Sequence, residues 1–232
     1  MTIFWEDFFN KLYKAVIAQD RWKMYLEGLG QTLLLAAITC VVGIILGLLV
    51  ASVKISAATS KNPVLRFCNA LCEIYTTILR GTPLMVQLLI IFSIKAITSN
   101  MMVCVIGFGL NSGAYVSEIF RGGINSVDIG QSEAGRSLGL SKWQTMWNIV
   151  LPQAIKNILP ALFNEFIVLV KETSVAGYVG LSELTKNAGL IKGLTFNAIP
   201  LFVAAAMYLL VTYILTLLHK ALERRLARSD RG

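Results

Sequence analysis

Residues 33–53 run for 21 positions without a charge, and no other feature constrains the fold as much. As a helix rising 1.5 Å per residue, the segment is about 31 Å long, the thickness of a bilayer's hydrocarbon core. In lipid such a run satisfies its backbone polar groups only by becoming a helix. Residues 101–117 and 199–218 are likewise uncharged. The chain of 232 residues is 56% hydrophobic and 15% charged, where a soluble domain carries about 25% charge. These features predict an all-α membrane protein with one domain of several spanning helices, and exclude large extramembrane domains and disulfide scaffolds.

Five spans emerge along the chain. Residues 1–27 mix Trp5, Phe8, Phe9, Tyr13, Trp22 and Tyr25 with Lys11, Lys14, Arg21 and Lys23, the composition of an interfacial lead-in. No basic region leads into a short apolar stretch with a small-residue cleavage site, so no cleaved signal peptide is expected. Residues 28–222 hold the membrane domain. Its first span, 33–53, contains Gly43-x-x-x-Gly47, which is either a close-packing face or a chance spacing. The second starts as an amphipathic helix over 64–79, bends near Pro83 and ends around Lys95. Spans three to five are 101–117, about 155–176, and 199–218; Asn164, Glu165, Lys171 and Glu172 interrupt the fourth.

Charge orients the spans. Residues 54–66 carry Lys54, Lys61 and Arg66 with no acid, and the tail after His219 carries Lys220, Arg224, Arg225, Arg228 and Arg231 against Glu223 and Asp230. Counted over loops, the proposed inner segments hold 12 Lys and Arg and the outer ones 7. The positive-inside bias then places the amino terminus outside and the basic 223–232 tail in the cytoplasm. The net charge of +8 is thereby accounted for by orientation, without a nucleic-acid partner.

No catalytic or metal set is legible. Cys40 and Cys104 lie in apolar runs, and Cys68 and Cys72, at i, i+4, lack the partners a zinc site needs. His219 reads as an interfacial residue. No phosphate loop occurs: Gly135-x-x-x-Gly139 continues with Leu140, Ser141 and Lys142, the wrong spacing for one.

The most specific signal is the polar stretch 128–152. It contains Glu133-Ala134-Gly135, three residues, Gly139, nine residues, and Ile149-x-Leu151-Pro152. Its small residues allow close approach to a partner, and Glu133 offers a carboxylate. Gly139 permits a turn between two short helices, and Ser141 caps the second. The stretch resembles the EAA signature of bacterial ABC importer permeases, with Gly135 where Ala is usual. Arg80-Gly81-Thr82-Pro83-Leu84, Ala114-Tyr115-Val116-Ser117-Glu118-Ile119, Leu159-Pro160-Ala161-Leu162-x-Asn164-Glu165-Phe166 and Leu169-Val170-Lys171-Glu172-Thr173-Ser174 resemble the polar amino-acid uptake branch of that superfamily. The resemblance covers nearly the whole chain from Gly30.

It implies the MetI-like permease fold in a bacterial inner (cytoplasmic) membrane, with no cofactor on this chain. ATP would be bound and hydrolysed by a separate ABC ATPase subunit contacted through Glu133, Ala134, Gly135, Gly139 and Leu140. It further implies an extracytoplasmic amino-acid-binding protein and a second permease subunit, identical or paralogous. In the family's cycle, closure of the ATPases would push on the 128–152 loop and switch the path between outward and inward access.

Polar groups inside spans are costly and tend to face cavities or partners. Asn111, Tyr115 and Glu118 share one helix face, Glu165 and Glu172 another, and Asn164 and Lys171 a third. With Thr173 and Ser174 they are the candidate substrate pathway, able to offer both a cation and an anion to an amino acid. Alternatively, Lys171 and Glu172 sit in water at a span boundary and Glu118 pairs with Arg121. Arg80 either anchors the second helix at the headgroups or lines the inner mouth of the path. Two other classes remain at this point: a secondary transporter or channel subunit not driven by ATP, and a membrane scaffold.

Overall fold

The computed structural model describes residues 2–58, 60–94, 97 and 99–228, and among them every regular element is helical. Lys95, Asp230 and Arg231, which contribute to the charge bias, lie outside the described residues.

The lead-in divides in two. Helix α1 (Thr2–Val16) ends in a short turn where Gln19 and Asp20 adopt left-handed backbone, φ 58 and 57. Arg21 closes that turn, donating to the Lys14 carbonyl and to Gln19 Oε1. Helix α2 (Arg21–Ala58) then runs for 38 residues, about 57 Å, well beyond the 33–53 expected. The extra length is stabilised by packing rather than lipid. A Cβ on Gly28 would stand 2.8 Å from Leu184 Cα, so the first turns of α2 lie directly against a later helix.

The Gly43-x-x-x-Gly47 spacing is a packing face. A Cβ on Gly43 would meet Ser112 Oγ at 2.6 Å, and one on Gly47 would meet Val116 Cγ1 at 2.5 Å. Helix α2 therefore lies in close contact with α5 (Asn100–Asn125), the most extensive helix pairing in the fold.

Between them run α3 (Pro63–Gly81), capped by the Asn62 side chain, and α4 (Leu84–Phe92). The bend at Pro83 is a break: the two axes meet at 105°. The carbonyls this break frees are satisfied by side chains. Gln87 Nε2 donates to Leu79 O at 2.8 Å and Thr82 O at 3.0 Å, and Asn111 Nδ2 donates to Leu79 O at 3.0 Å. Helix α3 turns Asn69 and Thr76 inward, sets a half-exposed Glu73 beside Lys54, and leaves Val64, Phe67, Leu71, Ile74 and Ile78 exposed. A polar-in, apolar-out helix suits lipid and not water.

The 128–152 stretch forms α6 (Ile129–Ser137) and α7 (Lys142–Thr145), and a π-helical turn (Met146–Val150) joins α7 directly to α8 (Leu151–Glu172). A 3-10 turn (Thr173–Val179) leads to α9 (Leu184–Thr195), and α10 (Ile199–Arg228) closes the fold. The basic tail thus continues the last helix at least to Arg228. Leu35, Leu88, Val103, Phe108, Leu169 and Val179 form the core where α2, α4, α5 and the end of α8 meet. Four helical segments are long and apolar enough to cross a membrane, and α3–α4 makes a fifth if taken as one broken span.

Candidate functional site: a polar interior and an exposed loop

Lys54 is the main departure from the sequence reading. Expected in an inner loop, it lies within α2 with its side chain 3% exposed. Its ammonium stands 2.7 Å from Glu118 Oε1, 3.2 Å from Glu73 Oε1 and 3.2 Å from Thr76 Oγ1. Arg121 holds the other Glu118 oxygen at 2.5 Å, and Arg80 Nη1 is 4.0 Å from it. The Arg80 guanidinium also lies over the Tyr115 ring, 5.3 Å from its centroid. One network therefore joins α2, α3 and α5. Nothing in sequence distance hinted at Lys54 or Glu73; only the absence of a nearby acid made Lys54 look like a free loop charge.

Asn111 faces the α3–α4 break, donating also to Gln87 Oε1 at 3.1 Å. Ser112, its neighbour, faces the other way and donates to Glu165 Oε1 at 2.9 Å. Glu165 is half-buried on α8 and forms no ion pair among the described residues. Glu172, two turns on, is also half-buried and lies within the electrostatic reach of Glu165 and Lys171. Asn164 and Lys171 are exposed, while Thr173 is buried and donates to Val170 O. Ser174 lines a groove with Gly177, Tyr178 and Glu183. The structure thus separates the expected pathway residues into an α5 group around Glu118 and an α8 group around Glu165, with Ser112 and Tyr115 on adjacent turns between them.

Glu183, which carries no motif, is fully buried. It caps α9, accepting from the Thr185 and Lys186 backbone N–H groups at 2.7 and 2.6 Å, and accepts from the Tyr208 hydroxyl at 3.1 Å. Burial raises its carboxyl above the ordinary range, although these hydrogen bonds work against the shift. Further along α10, the His219 ring bonds to Pro160 O at 3.0 Å and stacks on Phe163, tying α10 to the proline of α8.

The EAA stretch is a rigid knob. Asp128 caps α6, Gly139 takes φ +86 at the turn, and Ser141 with Gln144 forms a capping box on α7. Gly135 is buried against Ile149 and Thr145, while Glu133, Ala134 and Gly139 are exposed and Leu140 is half-buried. Around them Ile129, Leu138 and Trp143 stand 75%, 82% and 69% exposed. Trp143 meets Trp147 edge-on at 5.4 Å. Such an apolar surface around one carboxylate is the chemistry of a docking site.

Residues 43–228 match the model of a family described as the binding-protein-dependent transport system inner membrane component. The chain belongs to that family. It is the membrane permease subunit of an ATP-driven importer, not an enzyme, and ATP hydrolysis resides in a separate subunit. The carrier and scaffold readings are thereby set aside. The arginine transport system permease protein ArtQ of Bacillus subtilis is 38% identical to this permease, over 88% of this chain and 93% of that protein. The glutamine transport system permease protein GlnP of Escherichia coli is 33% identical, again over 88% and 93%. Among solved structures, a crystal structure of an amino acid ABC transporter with histidines matches with a TM-score of 0.81 and 37% identity, covering 88% of this chain and 94% of that one. An inward-facing MetNI methionine ABC transporter shares the fold, with a TM-score of 0.78 at 15% identity over 90% and 99% of the two chains.

Proposed function

We propose that this permease carries a polar amino acid bearing positive charge inward across the bacterial inner membrane, and that Glu165 receives the cationic group on the way. The observation that carries this reading is the state of the Glu165 carboxylate. Glu73 and Glu118 have cations at ion-pair distance and Glu183 has backbone donors. Glu165, inside a span, has one hydroxyl and an acidic neighbour at Glu172. A carboxylate so placed favours a cation, and the ammonium or side chain of an arginine-, lysine- or histidine-like cargo supplies one. A relative named for arginine transport supports this substrate class, whereas the glutamine for which other relatives are named offers such a carboxylate only an α-ammonium.

In this reading the amino terminus is outside and the carboxyl terminus cytoplasmic. The ATPase docks on Glu133, Ala134, Gly135, Gly139 and Leu140, with Leu138 and Trp143 supplying apolar contact. A second permease subunit completes the path, and an extracytoplasmic binding protein delivers the cargo. ATP is bound by the partner, and this chain needs no cofactor of its own.

The test is uptake of radiolabelled arginine, lysine and histidine into proteoliposomes holding the complete transporter. Losing a charged hydrogen-bond partner predicts a fall of about 10- to 100-fold for Glu165→Gln, with the ATPase subunit still bound. Uptake at the wild-type rate overturns the assignment.

A further inference from the structure

Arg80 is the one cation of the Lys54–Glu118 network that makes no hydrogen bond among the described residues. Lys54 and Arg121 already hold the two oxygens of Glu118 at 2.7 and 2.5 Å, whereas Arg80 reaches only 4.0 Å. The guanidinium, with five N–H donors, makes no hydrogen bond among the described residues, and its side chain is 43% exposed. Three cations, Lys54, Arg80 and Arg121, thus face two carboxylates, Glu73 and Glu118. One positive charge is in excess.

Its position gives that excess a use. The guanidinium lies over Tyr115, which is itself 40% exposed, so both lie outside the packed core. Tyr115 follows Ser112 by three residues on α5, about 4.5 Å along the axis and about 60° around it. Ser112 holds Glu165. A cation with free donors and a carboxylate without a cation therefore flank adjacent turns of one helix. An amino acid presents both charges at once. The guanidinium fork matches a carboxylate bidentately, and an aromatic face fixes the plane of the fork.

We propose that Arg80 receives the α-carboxylate of the transported amino acid, with Tyr115 orienting the guanidinium while Glu165 receives the positive end. This rests on the function proposed above and adds the second pole of the same site. An Arg80 that merely anchors α3 at the headgroups makes no distinction between a free acid and its ester.

The experiment is equilibrium binding to the purified permease–ATPase complex without its binding protein. Radiolabelled L-arginine, L-lysine, L-histidine and L-glutamine are measured first, and the tightest is then compared with its methyl ester. Wild type is expected to prefer the acid by about 10- to 100-fold. Arg80→Gln, retaining its ATPase subunit, is expected to bind acid and ester alike. Arg80→Lys keeps the charge but not the fork, and serves where the glutamine variant does not fold; its preference is expected to fall several-fold. Wild-type preference in either folded variant overturns the Arg80 assignment and leaves the Glu165 path standing. If none of the four amino acids binds wild type, the path itself fails, and Arg80 with it.

Discussion

The ammonium of Lys54 on α2 and the carboxylate of Glu118 on α5 meet at 2.7 Å, with the lysine side chain 3% exposed. The pair lies beyond the Gly43 and Gly47 packing face, so the two helices are held by shape at one level and by charge at the next. Glu73 joins from α3 at 3.2 Å on its exposed side. A cavity of about 930 Å³, lined by Lys54, Glu73 and Arg121, separates this network from Ile129, Ser132 and Met146 of the 128–152 stretch. Arg121 bounds the cavity four residues before the last turn of α5 gives way to that region.

Replacing Lys54 with methionine leaves two carboxylates short of a partner. Breaking a buried pair costs about 3–5 kcal/mol, but Arg121 still neutralises Glu118 and Glu73 is half in solvent, so the expected loss is about 1–3 kcal/mol. Thermal unfolding of the detergent-solubilised protein measures it. Restoring stability with Glu73→Gln in the Lys54→Met background would show that the cost is the uncompensated charge, since Lys54 is the cation that pairs with Glu73.

Gly43→Ala tests the link between helix packing and the polar site. The added methyl would overlap Ser112 Oγ, at 2.6 Å, and that hydroxyl is the Glu165 donor. Uptake is expected to fall more than it does for Ser112→Ala, because the methyl also forces α2 and α5 apart. Equal uptake defects would mean that the packing face does not act on the site.

Gly135→Ala, by contrast, is expected to be tolerated. Its methyl would meet the far end of the Ile149 side chain at 2.6 Å, which a rotamer change relieves, and Thr145 Cγ2 at 3.1 Å, which a shift of a few tenths of an ångström relieves, so ATPase association should stay within about twofold of wild type. Gly135→Leu cannot be accommodated in the same way. Co-purification of the ATPase with each variant checks both statements.

Glu183 predicts a pH dependence. Its folded carboxyl titrates above its unfolded value of about 4.5, so the folded state binds the extra proton between the two values. Stability contributed by this group is therefore fullest below about 4.5 and declines as pH rises to the raised folded value. Thermal unfolding of wild type relative to Glu183→Gln, followed from acid to neutral pH, should show the wild type losing ground. A pH-independent difference would contradict the burial argument.

The helices were legible because hydrocarbon leaves few choices: an uncharged run such as 33–53 can only span. The helical knob of 128–152 was legible because its caps are local, as with Ser141 and Gln144. The ends of α2 were not, since Gly28 is buried by Leu184, 156 positions away in the chain. The Lys54 network was hidden for the same reason, its partners standing 19 and 64 residues off. A helical face groups residues of one helix and says nothing of what lies opposite. Thus Asn111 and Ser112, neighbours in sequence, serve the α3–α4 break and Glu165 respectively.

Cargo and ATPase are predicted to be handled at separate places on this chain, Glu165 in the membrane and Glu133 on the knob. Glu165→Gln and Glu133→Lys, purified side by side and reconstituted, test it most directly, with ATPase co-purification and amino-acid uptake measured on each. Glu165→Gln is predicted to keep the ATPase and lose uptake, and Glu133→Lys to lose both. Full uptake by Glu165→Gln, or full ATPase binding and uptake by Glu133→Lys, would contradict the account.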